Sequence, residues 1–173
     1  MRFNINVMKN KKGFSLIEMM VTISIFAVIG VLVTTSMALT LRSSKKSDSL
    51  VRVRESLNYS LSSLERQIRN SDSIVSCTGL PVSTLSYISM EGITTSFSCV
   101  TAGSDKYIAS GSGALIKRLT PSDILVTSCS FTCTQTANSP AVIKVNVTAE
   151  DATSTGTEKG SVSTNMEIIT RNY

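Results

Sequence analysis

The sequence predicts an α+β protein: one long N-terminal helix packed on an antiparallel β-sheet head. Three observations predict it. Residues 19–41 are 23 consecutive uncharged residues, and a leucine-spaced amphipathic stretch follows them to Asn70 without a proline. Beyond Asn70 the pattern turns to short alternating runs rich in Ser and Thr. Cys77, Cys99, Cys129 and Cys133 all fall in that second part. A chain of 173 residues is long enough for one modest core plus an extension.

The helix is expected over residues 14–70, with Gly30 as its one glycine. Its first half is apolar all round, as a membrane span is. A helix of 23 residues covers about 34 Å, enough to cross a bilayer. The character changes at Arg42. From there Leu50, Leu57, Leu61, Leu64 and Ile68 recur on one helical face, with Arg52, Arg54, Glu55, Glu65, Arg66 and Arg69 mostly off it. Gly30 has two readings: close packing with a neighbouring helix, which is preferred, or a weak point where the helix loosens.

The strands follow in order. Runs 84–90 and 93–100 flank Glu91-Gly92, a hairpin turn signal, with Ile93, Phe97 and Cys99 on one face of the second. Runs 106–109 and 114–119 flank Gly111-Ser112-Gly113, and Pro121-Ser122-Asp123 is a turn. The longest candidates are 124–134, 141–149 and 162–170. Ile143, Val145 and Val147 alternate with Lys144, Asn146 and Thr148, so one face is buried and one wet. Residues 151–160 read as a polar loop. The helical stripe covers the apolar face of this sheet.

The net charge of +5 comes largely from Arg2, Lys9, Lys11 and Lys12, all ahead of Gly13. Such a leader reads as a cytoplasmic anchor rather than a nucleic-acid site. Lys45-Lys46, Arg52, Arg54 and Lys117-Arg118 are scattered candidates for a nucleic-acid stripe, but solvated faces explain them more simply. The chain has no histidine, hence neither the commonest metal ligand nor the commonest general base. No nucleophile elbow or paired-carboxylate context points to an enzyme, and no cofactor or metal is expected.

Residues 11–27 hold the densest signal: a Lys-Lys-Gly leader end, then Phe14-Ser15-Leu16-Ile17-Glu18, then the apolar run. An acid inside an apolar segment is costly and usually functional. This arrangement resembles the signal of type IV pilins and type II secretion pseudopilins. The resemblance implies cleavage after Gly13 by an inner-membrane prepilin peptidase, which also N-methylates Phe14. It implies pairing of Glu18 with the terminal amine of a neighbouring subunit, which sets assembly register. The implied partners are the prepilin peptidase/N-methyltransferase, other pilin subunits and the inner-membrane assembly platform. The implied parts are a cleaved basic leader (1–13), a transmembrane and filament-core helix (14–41), an amphipathic helix on the head (42–72) and an extracytoplasmic β-rich head (73–173). The precursor is expected in the bacterial inner membrane as a single pass, N-terminus cytoplasmic, and the assembled protein in an extracytoplasmic filament.

Within this resemblance a minor pilin is preferred, with a secretion pseudopilin or a competence-pilus subunit as alternatives. Leu64-Glu65-Arg66-Gln67-Ile68-Arg69 and Ile168-Ile169-Thr170-Arg171-Asn172-Tyr173 are similar to minor pilins and J-type pseudopilins. Glu18 sets the chain apart from K-type tip pseudopilins, which lack the acid. Cys133 is the last cysteine, which departs from major pilins with a disulfide-closed C-terminal loop. A different class is a membrane-anchored binding domain that never polymerises. It would keep the leader or lose a conventional signal after Ala38, in Ser36-Met37-Ala38, and would leave Glu18 unexplained.

Four extracytoplasmic cysteines favour two disulfides over zinc. If 124–134 is one straight strand, Cys129 and Cys133 are about 13 Å apart, beyond the roughly 7 Å a disulfide spans. Yet Cys77 and Cys99 flank the first hairpin. Pairing Cys77–Cys99 with Cys129–Cys133 is slightly preferred, and the other pairings stay open.

Overall fold

The computed structural model describes residues 13–113, 115–137 and 139–171. The leader up to Lys12, Ala114, Asn138 and the terminal Asn172-Tyr173 lie outside the described residues. Among the described residues one α-helix, α1 (Leu16–Arg69), precedes nine strands. The chain divides into two compact units between Leu41 and Arg42.

In the first unit every described side chain is exposed, from Gly13 to Leu41. Its hydroxyls are satisfied within the helix. Thr22 donates to the Met19 carbonyl, Ser24 to Val21, Thr34 to Gly30, Thr35 to Val31 and Thr40 to Ser36. A hydroxyl bonded to its own helix can enter lipid without losing a hydrogen bond.

The second unit contains two antiparallel sheets. The first has order β1-β3-β4-β5-β6: β1 (Ser71–Ile74), β3 (Thr84–Ser89), β4 (Thr94–Ala102), β5 (Asp105–Ser112) and β6 (Leu115–Arg118). The second has order β2-β7-β8-β9: β2 (Pro81–Val82), β7 (Ile124–Thr134), β8 (Val142–Asp151) and β9 (Ser161–Ile169). The single sheet expected from the strand pattern is therefore two, which adjoin along β5 and β7. The Glu91-Gly92 turn is present, but the expected Gly111-Ser112-Gly113 turn is corrected: Gly111 and Ser112 belong to β5 and pair with Ile116 and Leu115, which leaves Gly113 at the turn. Gly92 has φ 77° between β3 and β4, and Gly113 has φ 60° between β5 and β6, backbone that favours glycine.

From Ser49 onward one face of α1 is buried: Ser49, Val53, Leu57, Ser60, Leu61, Leu64 and Ile68. These apolar residues join Leu85, Phe97, Ile108, Phe131, Ile143, Val145 and Ile168 in one core. The expected stripe is corrected at its start, where Leu50 is half-buried and Val53 takes the core position. Fully burying a Leu or Ile contributes about 1.5–3 kcal/mol, so this face is what fixes the helix to the sheets. The alternation of β8 holds, with Ile143, Val145 and Val147 buried and Lys144 and Asn146 exposed. On β4, Phe97 is buried and Cys99 half-buried, but Ile93 stands in the turn and is exposed.

Two disulfides lock the sheets, and they correct the preferred pairing. Cys77 bonds Cys133 and Cys99 bonds Cys129, with Cα separations of 4.7 and 5.9 Å. β7 pairs with β8 without interruption from Ser128 to Thr134. Cys129 and Cys133 thus lie four residues along one strand and cannot meet. The Cys99–Cys129 bond joins β4 to β7, hence one sheet to the other. The Cys77–Cys133 bond ties the β1–β2 connection to the end of β7.

A candidate processing and assembly site

Gly13, Phe14 and Ser15 precede the helix, and α1 begins at Leu16. The Ser15 carbonyl accepts from Glu18 N–H at 3.1 Å and Met19 N–H at 3.2 Å, so Ser15 stands at the N-cap and Glu18 in the first turn. The Gly13–Phe14 peptide bond is therefore non-helical and exposed, the form a peptidase needs to draw a substrate into an extended groove. A Cβ on Gly13 would meet nothing within 4 Å. The fold itself sets no requirement for glycine there, so any such requirement comes from an outside partner. Phe14 is 76% exposed.

Glu18 is favoured locally, because an acid in the first turn complements the positive end of the helix dipole. It is also isolated. Leu16, Ile17, Met19 and Met20 around it are all exposed apolar side chains. Among the described residues Glu18 has no ionic partner. The helix behind it is long and apolar enough to cross a membrane, with a window of mean hydropathy 2.5. The geometry is thus an exposed, non-helical Gly13–Phe14 bond with a lone carboxylate one turn later. It can offer one pairing charge to another chain. Gly30 likewise has open space where a Cβ would sit, so packing inside the chain does not decide between its two readings.

The prokaryotic N-terminal methylation motif matches residues 8–34. The chain therefore carries the signal of type IV pilins and pseudopilins, joined to the long N-terminal helix and antiparallel sheets described above. The motif spans only the N-terminal part of the chain and supports a pilin-like or pseudopilin-like precursor; proteins with this motif are structural subunits, and the motif implies prepilin peptidase processing, assembly with other pilin subunits and membrane anchoring. No curated protein and no solved structure matches the chain.

The head has a polar clasp where the sequence pattern suggests only loop. The buried Asp151 carboxylate accepts hydrogen bonds from Thr153 N–H and Oγ1 and from Ser154, and it faces Arg52 Nη2 at 3.4 Å. Burial pushes its pKa up, but the bonds from Thr153, Ser49 and Ser154 outweigh burial and hold it well below the usual carboxylate range. Gly160 N–H donates to Ser49 Oγ at 2.8 Å. Gly160 and Asp151 are the available signals in the sequence: a glycine where backbones touch, and an acid ending an alternating strand.

Two of the remaining basic candidates are engaged within the head. Arg118 grips Asp105 through two bonds, of 2.5 and 3.1 Å, and lies 4.4 Å over the Tyr107 ring. Arg52 faces Asp151. Burial raises the Tyr87 pKa, opposed by its bond with Thr95, and its hydroxyl donates to Gln67 at 2.6 Å. Among the described residues no group of His, Cys, Asp and Glu could hold a metal ion.

Proposed function

We propose that this chain is a filament subunit, stored in the bacterial inner membrane through residues 14–41 with the leader 1–13 in the cytoplasm. Prepilin peptidase cuts between Gly13 and Phe14 and N-methylates Phe14. The amphipathic segment 42–72 and the β-rich segment 73–173 form the extracytoplasmic head. The observation that carries this reading is Glu18: a lone acid one turn beyond an exposed, non-helical Gly13–Phe14 bond.

The chemistry is register selection. After cleavage each subunit has a terminal ammonium beside apolar surface and a carboxylate with no described partner. A charge left unpaired in a low-dielectric setting is costly, and a partner of opposite sign removes that cost. Correct stacking in a filament satisfies both groups at once, with the amine of one subunit on Glu18 of the next. Glu18 is thus a register pin and not a catalyst. The inner-membrane assembly platform and other pilins are the partners.

Among filament types, a minor pilin is the preferred reading over a type II secretion pseudopilin or competence-pilus subunit. Disulfides ending at Cys133 leave the C-terminal strand β9 outside any disulfide loop, unlike a major pilin of the C-terminal-loop kind. Glu18→Ala tests the pairing. Cleavage should proceed, and the amount in sheared filaments should fall at least tenfold; unchanged incorporation would remove this account of Glu18. A bulky residue at Gly13 should accumulate uncleaved precursor.

A further inference from the structure

We propose that Arg42, Lys45 and Lys46 form a binding site for the phosphate headgroups of anionic phospholipids. It holds the stored subunit at the outer face of the membrane that residues 14–41 cross. This rests on the membrane-stored reading above. The uncharged run ends at Leu41, and the cations begin at the next residue. Along a helix all three lie within about 8 Å of that end. That distance is about the depth of the headgroup region outside the hydrocarbon core.

The three side chains are exposed on continuous helix. Among the described residues Arg42 and Lys46 have no ion pair, and Lys45 has only Glu158 at 4.0 Å with its own side chain 69% exposed. The acids nearby are Asp48, on the same helix, and Glu158, from the loop before β9. Arg42 and Lys46 are four residues apart, on the stripe that continues to Ser49 and Val53. They precede Ser49, the first buried residue of that stripe, and are exposed. Farther along, Arg52 faces Asp151 at 3.4 Å. Charge of this sign at the end of an apolar run complements a phosphate layer better than neutral headgroups.

The test uses the full chain in bilayers of phosphatidylcholine with spin-labelled phosphatidylglycerol or phosphatidylcholine. Electron spin resonance then gives the relative association of each lipid with the protein. Wild type should prefer phosphatidylglycerol. The triple variant Arg42→Gln/Lys45→Gln/Lys46→Gln should lower that preference by about threefold or more, since each cation at an anionic surface weighs about fivefold before exchange and salt dilute it. The leader lysines are common to both proteins and cancel. Lys106→Gln/Lys117→Gln/Lys144→Gln, an equal charge loss on exposed head positions, should leave the preference unchanged. An unchanged preference in the Arg42 triple variant would overturn the proposal. So would an unchanged preference coupled to loss from filaments, which would assign the cations to a neighbouring subunit. Absence of any motionally restricted lipid in wild type would overturn the membrane reading itself, and the proposal with it.

Discussion

The two ends of α1 use the same helix for opposite purposes. Up to Leu41 every described side chain is exposed, including Phe14, Ile17, Phe26, Leu32 and Leu39. In the stretch that starts at Ser49, the side chains of Val53, Leu57, Leu64 and Ile68 have no exposure at all. Both stretches are rich in apolar residues, but only the second finds its partner within the chain. The first carries a mostly apolar surface that nothing among the described residues buries, which fits the membrane anchoring that the motif implies. The single acid and the lone glycine in it are not explained by anything the chain itself folds against.

This contrast breaks most visibly when the core is cut. Leu61→Ala should destabilise the head by about 2–5 kcal/mol, while Phe26→Ala should leave its thermal midpoint unmoved. Calorimetry of both variants in detergent checks this, and an equal loss for Phe26→Ala would mean that the first segment also packs in cis. Removing one disulfide, by Cys99→Ser/Cys129→Ser, should cost about 3–4 kcal/mol, because it frees a 30-residue separation. Peptide mapping without reduction should recover Cys99 joined to Cys129 and Cys77 joined to Cys133.

Smaller effects sharpen the boundary near Ser49. A Cβ on Gly160 would lie 2.7 Å from Leu50 N and from Ser49 Oγ. Helix and loop would have to part, so Gly160→Ala should cost about 1–3 kcal/mol, read from the denaturant midpoint. Asp151 gives the acid dependence. Its folded pKa lies below the unfolded value of about 3.9, so its contribution is complete above that value and fades as pH falls through and below it. Asp151→Asn should lower stability at pH 7 and flatten the loss below about pH 4, measured as thermal midpoint against pH.

What can be read from the sequence is local. The Gly13-Phe14-Glu18 signal is a string of neighbours, and its apolar run is long. β7 is legible over its observed residues because 124–134 is a long hydroxyl-rich and β-branched run. β8 shows itself by alternation. β1 and β2 carry no such signal: Ser71–Ile74 and Pro81–Val82 are too short for a period, and Pro81 argues against a strand except at an edge, where β2 sits. The division into two sheets falls where β6 and β7, consecutive in the chain, do not pair, which periodicity does not encode. The disulfides depend on the same division. That one straight strand keeps Cys129 from Cys133 is sound geometry, and it outweighs the flanking position of Cys77 and Cys99 around the first hairpin. Ile93 leaves its expected strand face because the turn claims it. The clasp is hidden in a polar stretch because its hydroxyls serve one buried carboxylate rather than solvent.

The most direct measurement of the central claim is intact mass and N-terminal sequence of the protein from native membranes. The account predicts a chain that begins at N-methylated Phe14. A chain that begins at Met1 or Leu39 would contradict it and leave a protein that is anchored or secreted but not built for a filament.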